Sequence, residues 1–124
     1  MNIDALQTRF ETVAHANNRA ALSKEQFQIL IEGEGATLLA WLAGMVEAAA
    51  KGRPESIEIF KKVHTAVRIT DSFRTHGFPE TSKSTVMALL DEHGANRVVN
   101  ATRALIEGDN NARHEIRGWI QAAK

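Results

Sequence analysis

The sequence predicts an all-α protein, a single-domain bundle of six or seven helices over residues 1–124. Apolar residues recur at spacings of three and four along most of the chain, which is the period of an amphipathic helix. Alternating apolar runs of the kind that form strands are almost absent. Glycine and proline stand mainly where one periodic segment ends and the next begins, as they do between helices.

The first two helices are predicted from an apolar stripe and from a capping box. The stripe defines a helix over about 3–17 and consists of Ile3, Leu6, Phe10, Val13 and Ala14. Ser23 can accept a hydrogen bond from the backbone amide of Gln26, whose side chain can reach back to Ser23. This pairing predicts that the second helix begins directly after Ser23.

A strongly apolar third helix is predicted over about 36–51, after a break at Gly33 and Gly35. Because apolar residues cover most of its circumference, we expect it to be the central helix of the bundle. These residues are Leu38, Leu39, Trp41, Leu42, Met45 and Val46. Trp41, like Trp119, is expected to anchor the core.

Glycines separate the four helices that follow. Gly52 ends the third helix and Pro54 begins the fourth. Gly77, Gly94 and Gly108 end the fourth, fifth and sixth helices. The predicted spans are about 54–76, 83–93, 96–107 and, after a cap at Asp109, up to about 122. Short connections of this kind are typical of an all-α bundle.

Composition excludes several kinds of site. The chain has no cysteine, so it can form neither a disulfide nor a thiolate metal site. Its net charge is zero, which argues against a general nucleic-acid binder. No signal-peptide pattern is visible, and the longest apolar run, 36–46, is too short to span a bilayer. We therefore expect a cytoplasmic protein that has no membrane partner.

Charge is nonetheless unevenly distributed along the chain. Residues 1–50 carry six acidic and three basic side chains, whereas residues 51–76 carry three acidic and six basic ones. Segments of opposite sign can orient a partner or favour self-association. The first candidate contact surface is therefore the polar side of the fourth helix. It comprises Lys61, Lys62, His64, Arg68 and Arg74.

His64 lies in the fourth helix just outside its apolar arc, where we expect it to be partly exposed. Lys61 and Arg68 flank it, one turn away on either side. A neutral imidazole near two cations can accept a phosphoryl group, because the cations would stabilise the arriving charge.

Residues 34–93 resemble a histidine phosphotransfer (Hpt) domain. The resemblance is carried by the segments AGMVEAAAKGRPESIEIFKKVHTA, HGFPE and STVMALLDE, in this order. It implies that His64 is the phosphorylated residue and that a receiver domain is its partner. The sequence departs from the family at Val67 and Arg68, where a lysine and a small residue, normally glycine, are usual.

A second candidate surface lies on the sixth helix, directly after a glycine turn at Gly94. Its polar side carries Asn96, Arg97, Asn100 and Arg103. Arginine and asparagine are the side chains that read guanine and adenine edges in DNA. A helix-turn-helix alignment on Gly94, however, would place His93, Asn100 and Arg103 at positions that normally need apolar core residues. DNA binding therefore ranks below protein binding.

No group of residues indicates catalysis, a metal site or a cofactor. The five histidines are dispersed, and no nucleophile elbow, phosphate-binding loop or dinucleotide turn occurs. The sequence favours a small non-catalytic protein, regulatory or inhibitory, that binds another protein. A phosphorelay protein phosphorylated on His64 is the first alternative, and DNA binding through the sixth helix is the second.

Overall fold

The computed structural model describes residues 3–33 and 35–123, and all regular secondary structure within them is helical. The seven helices of these residues are α1 (Ile3–Ala16), α2 (Lys24–Ile31), α3 (Ala36–Ala50), α4 (Pro54–Thr75), α5 (Lys83–His93), α6 (Ala95–Ile106) and α7 (Asn110–Ala122). The all-α prediction is confirmed, and the predicted helix boundaries lie within one residue of the observed ones.

Local side-chain caps explain several helix starts. Ser23 Oγ accepts a hydrogen bond from the Gln26 amide at 3.1 Å, and the Ser23 amide donates to Gln26 Oε1 at 3.0 Å. The predicted capping box is therefore present. Ser82 and Asp109 accept backbone amides in the first turns of α5 and α7. Each such cap stabilises its helix by about 1 kcal/mol.

The turn after α4 requires glycine at position 77. Gly77 has a φ of +111°, a conformation that is disfavoured for residues with a Cβ. The Arg113 guanidinium also lies where a Cβ of residue 77 would point. Its Nη1 donates a hydrogen bond to the His76 carbonyl at 2.9 Å. The turn thereby ties α7 to the end of α4.

Contacts divide the chain into two units, and the division falls inside α4, between His64 and Thr65. In the first unit, Phe10 packs against Phe60 with ring centroids 4.4 Å apart. The second unit contains a cluster of buried side chains contributed by α4 to α7. Its largest members include Phe73, Leu89, Leu105, Ile116 and Trp119. The single-domain organisation stays a prediction.

The prediction that α3 is a central, largely buried helix is wrong for its first half. Leu38 and Trp41 are 51% and 54% exposed. The buried residues of the helix lie further along and are Leu42, Met45, Val46 and Ala49. Periodicity shows which residues share a face, but not how far a neighbouring helix covers that face. Trp41 therefore does not anchor the core, whereas Trp119 is buried as expected, at 8% exposure.

The apolar character of α3 is confined to a short helix. Among the described residues, no single helix is long and apolar enough to cross a membrane. Helices α2 and α3 meet the requirements of length and composition only as a pair, and this pair is bent by 119°.

Candidate functional site

His64 is buried in the first unit, at 1% exposure, so the prediction that it is partly exposed is wrong. Its ring stacks beside those of Phe10 and Phe60, with centroids 6.2 and 6.3 Å away. His64 lies at the edge of the apolar side of α4. The connection between α1 and α2 covers this edge. Arg19 and Ala20 of this connection both contact the imidazole.

Two contacts of the His64 ring nitrogens favour one tautomer of the imidazole. Nε2 lies 2.7 Å from the Ala20 carbonyl oxygen, which can only accept, so Nε2 donates. Nδ1 lies 3.4 Å from Arg19 Nη1, which can only donate, so Nδ1 accepts. This arrangement fits a neutral imidazole with its hydrogen on Nε2. Neither ring nitrogen is presented to a phosphodonor in this arrangement, and the resemblance to an Hpt domain stays a prediction.

The four cationic residues predicted as a contact surface on α4 differ in how accessible they are. Lys61 is half-exposed and lies 3.9 Å from Glu58. Lys62 is half-buried and Arg68 is exposed. Arg74 is half-buried, and its Nε donates to the Thr81 carbonyl at 2.8 Å. Arg74 therefore holds the connection to α5, which reduces its value as a contact residue.

The polar side of α6 is exposed as predicted. Asn96, Arg97, Asn100 and Arg103 are all exposed. Arg97 is nonetheless engaged: its Nη2 lies 3.1 Å from Glu115 Oε2, and its guanidinium lies 5.6 Å from the centre of the Trp119 ring. Asn96, Asn100 and Arg103 are thus the residues of this side best placed to meet a partner.

An open groove of about 620 Å³ runs between α6 and α7. Its lining residues are Arg97, Asn100, Ala101, Ala104, Asp109, Asn111, Ala112 and Glu115. The charged members are already engaged, because Arg97 pairs with Glu115 and Asp109 caps α7. Within residues 3–33 and 35–123, no three histidine or acidic side chains are grouped so that they could hold a metal ion.

The first half of α3 exposes two large apolar side chains of the first unit, Leu38 and Trp41. No charged residue occurs from Gly35 to Val46. We call the uncharged, outward side of this helix the α3 outer face. It comprises Thr37, Trp41, Gly44 and Ala48, of which only Ala48 is half-buried and the others are exposed. Leu38, also exposed, borders this face, because it continues the buried stripe of Leu42, Met45 and Ala49 towards the start of the helix. Large apolar side chains on a contiguous exposed surface are typical of an interaction site.

Gly44 is a poor helix former near the middle of α3, where it costs about 1 kcal/mol relative to alanine. Its backbone has no positive φ, and a Cβ at this position would meet nothing within 4 Å. Contacts within the described chain therefore give no reason for glycine here. Gly44 thus contributes no side chain to the helix side that carries Trp41, three residues earlier.

An ion pair flanks the α3 outer face and joins α1 to α3. Arg9 Nε lies 2.7 Å from Glu47 Oε1, and Arg9 Nη2 lies 3.2 Å from Glu47 Oε2. The hydrogen bond from Arg9 holds the pKa of Glu47 below its usual value, and the same bond raises the pKa of Arg9. The charged residue of α3 is thus neutralised by a partner on α1.

The α3 outer face was not predicted from the sequence as a contact surface, although the apolar character of α3 is a signal for it. A helix that is apolar on most of its circumference needs neighbours on most of its sides, whereas only four of its fifteen residues are buried among the described residues. No protein-family model, curated protein or solved structure matches this chain.

Proposed function

We propose that this protein acts by binding another protein, without catalysis, and that the α3 outer face is its contact surface. The observation that carries this proposal is the 54% exposure of Trp41 on a helix side without charge, with Leu38 exposed at the edge of that side. Burying such side chains is favourable by about 25 cal/mol per Å² of apolar surface. Tryptophan is also among the residues that contribute most to protein–protein affinity.

The surroundings of the face support a protein partner over a nucleic acid. A phosphate backbone is bound by lysine and arginine, and α3 contributes none before Lys51. Protein interfaces instead combine an uncharged, aromatic centre with a polar rim. Here Trp41 lies at the centre, and the Arg9–Glu47 pair lies on the flank. A regulatory or inhibitory role is consistent with such a passive contact surface.

The polar side of α6 is a second candidate contact surface. Asn96, Asn100 and Arg103 are exposed there, and Ile106 on the same helix is 49% exposed. A mixed surface of this kind is more strongly hydrated than the α3 outer face, so less free energy is available from its burial. It therefore ranks second as a protein-binding surface, and the DNA-binding alternative would depend on the same residues.

Co-purification from the native host tests the proposal. Wild-type protein and the variants Trp41→Ser and Ile106→Ser are used as bait, because both positions expose about half of a large apolar side chain. We expect the Trp41 variant to weaken partner binding by about thirtyfold or more, as for an interface hot spot. The Ile106 variant should retain the partner.

The outcomes separate the two surfaces. Retention of the partner by Trp41→Ser would contradict the proposal. Loss of the partner by Ile106→Ser alone would move the contact to α6. Circular dichroism of each bait shows whether the helices are intact, and we expect them to be, because both substituted side chains are exposed.

A further inference from the structure

We infer that the α3 outer face pairs with the same face of a second copy of this chain, with Trp41 of each copy seated over Gly44 of the other. The inference rests on the proposed function, because it names the partner of the same surface. Three observations support it. They are the spacing of the outward residues of α3, the presence of glycine at position 44, and the absence of charge on the face.

The spacing of the outward residues is symmetric. Thr37, Trp41, Gly44 and Ala48 follow one another at intervals of four, three and four, so they form one stripe on the helix. The order of these intervals is the same in either direction along the helix. Two antiparallel copies related by a two-fold axis between residues 42 and 43 therefore place Thr37 opposite Ala48 and Trp41 opposite Gly44. In such a contact each pairing occurs twice.

The sizes of the opposed residues are complementary. Trp41 is the largest side chain of the stripe, and Gly44 has none. Packed helices interdigitate best when a large residue faces a small one. Gly44 has no requirement for glycine within its own chain, because a Cβ there would meet nothing within 4 Å. In the proposed contact, glycine is needed at position 44 because the helix backbone of the second copy and its Trp41 ring approach closely there.

The absence of charge suits pairing between identical surfaces. Residues within about one turn of the two-fold axis lie close to their own counterparts as well as to the residues opposite them, so a charge there would lie near a charge of the same sign. Between Thr37 and Ala48 the chain has one charged residue, Glu47, which lies beside the stripe. Its carboxylate is already bound by Arg9 at 2.7 Å. A partner of different sequence would instead be expected to select complementary charges.

The size of the interface predicts a weak and reversible dimer. A helix of 15 residues is about 22 Å long at 1.5 Å per residue. A contact one helix wide falls below the roughly 1,200–2,000 Å² of a standard stable interface. Dimerisation is therefore expected at high protein concentration and not at low concentration.

Sedimentation equilibrium from about 5 µM to about 1 mM measures the association. The variants are Trp41→Ser, Gly44→Leu and, as a matched control, Gly118→Leu. Gly118 is also an exposed glycine inside a helix, and a Cβ there also meets nothing within 4 Å. Leucine at either glycine favours the helix, so both variants should fold.

We expect a monomer–dimer equilibrium in the wild type. Trp41→Ser and Gly44→Leu should each raise the dimer Kd by about thirtyfold or more, because each change occurs twice in a symmetric contact. Gly118→Leu should change it by less than about twofold, as at a surface position without a partner. A weaker dimer in Gly44→Leu, which adds apolar surface, would therefore show that the association depends on this specific contact and not on nonspecific attraction between apolar side chains.

Two results would overturn the inference. The first is a wild-type protein that stays monomeric over the whole concentration range. The second is a dimer that Trp41→Ser and Gly44→Leu leave unchanged. If the protein is monomeric but Trp41→Ser still loses a partner from the native host, self-pairing fails while the proposed function stands. If Trp41→Ser affects neither measurement, both fail.

Discussion

Trp41 and Trp119 are the same residue type on two helices, yet one is 54% exposed and the other 8%. The His93 ring stacks on Trp119 with centroids 4.5 Å apart, and the Arg97 guanidinium lies 5.6 Å from the Trp119 centroid. Trp41 instead stands on the outward side of α3. Burial in this protein is therefore decided by the side chains that a neighbouring helix supplies, and not by hydrophobicity alone.

The largest difference is expected between truncations of the two tryptophans. Trp119→Ala removes a buried ring and should lower the free energy of unfolding by about 3–5 kcal/mol. Trp41→Ala removes an exposed ring and should change it by no more than about 0.5 kcal/mol. Urea unfolding of dilute protein, followed by circular dichroism, measures both values. Equal losses would mean that Trp41 is covered within the monomer.

Two histidines extend the comparison to polar side chains. His64→Ala removes a buried ring and its hydrogen bond to Ala20, and should lower the free energy of unfolding by about 2–3 kcal/mol. His15 is exposed, so His15→Ala should change it by no more than about 0.5 kcal/mol. Nitrogen NMR of the wild-type imidazole should find the hydrogen of His64 on Nε2. A His64 variant as stable as the His15 variant would contradict the buried assignment.

Two glycines make the same comparison with smaller effects. Gly77→Ala introduces strain at a positive φ and a clash with Arg113, and should lower the free energy of unfolding by about 1–3 kcal/mol. Gly44→Ala meets nothing in its own chain and should raise the free energy of unfolding by about 0.5–1 kcal/mol. Urea unfolding of dilute monomer checks both signs. A destabilised Gly44→Ala monomer would reveal an intramolecular neighbour at this position.

The smallest effect concerns the exposed pair of Arg9 and Glu47. Because the pKa of Glu47 is lowered in the folded state by its hydrogen bond with Arg9, the pair contributes stability above the unfolded pKa. This contribution is lost as the pH falls through the folded pKa. Carbon NMR titration should show a lowered pKa for Glu47 in the wild type and a higher one in Arg9→Gln. An identical titration in both proteins would contradict the pairing.

The helices could be predicted from the sequence because local interactions determine their ends. The capping box of Ser23 and Gln26 involves residues three apart, and Asp109 caps α7 through amides two and three residues away. Positive-φ glycines such as Gly77 and Gly94 mark the turns. Signals of this range can be read directly from neighbouring residues.

The candidate site could not be predicted because it depends on contacts between distant residues. His64 is covered by Ala20, which lies 44 positions earlier, and helical periodicity contains no information about such cover. The same limit explains the wrong prediction for Trp41, because a helix that is apolar on most of its circumference does not show which part of it a neighbour covers. Conversely, the sequence predicts Arg74 as a contact residue, whereas its Nε donates a hydrogen bond to the Thr81 carbonyl within the chain.

The hydrogen bond between His64 and the Ala20 carbonyl has a consequence for the order of folding. It joins the last residue of the first unit to the connection between its first two helices. The two hydrogen-bond contacts and the two ring contacts described above for His64 thus involve residues made before position 65. We expect this aromatic nucleus to assemble on the ribosome while later residues are still being translated, as N-terminal segments commonly do.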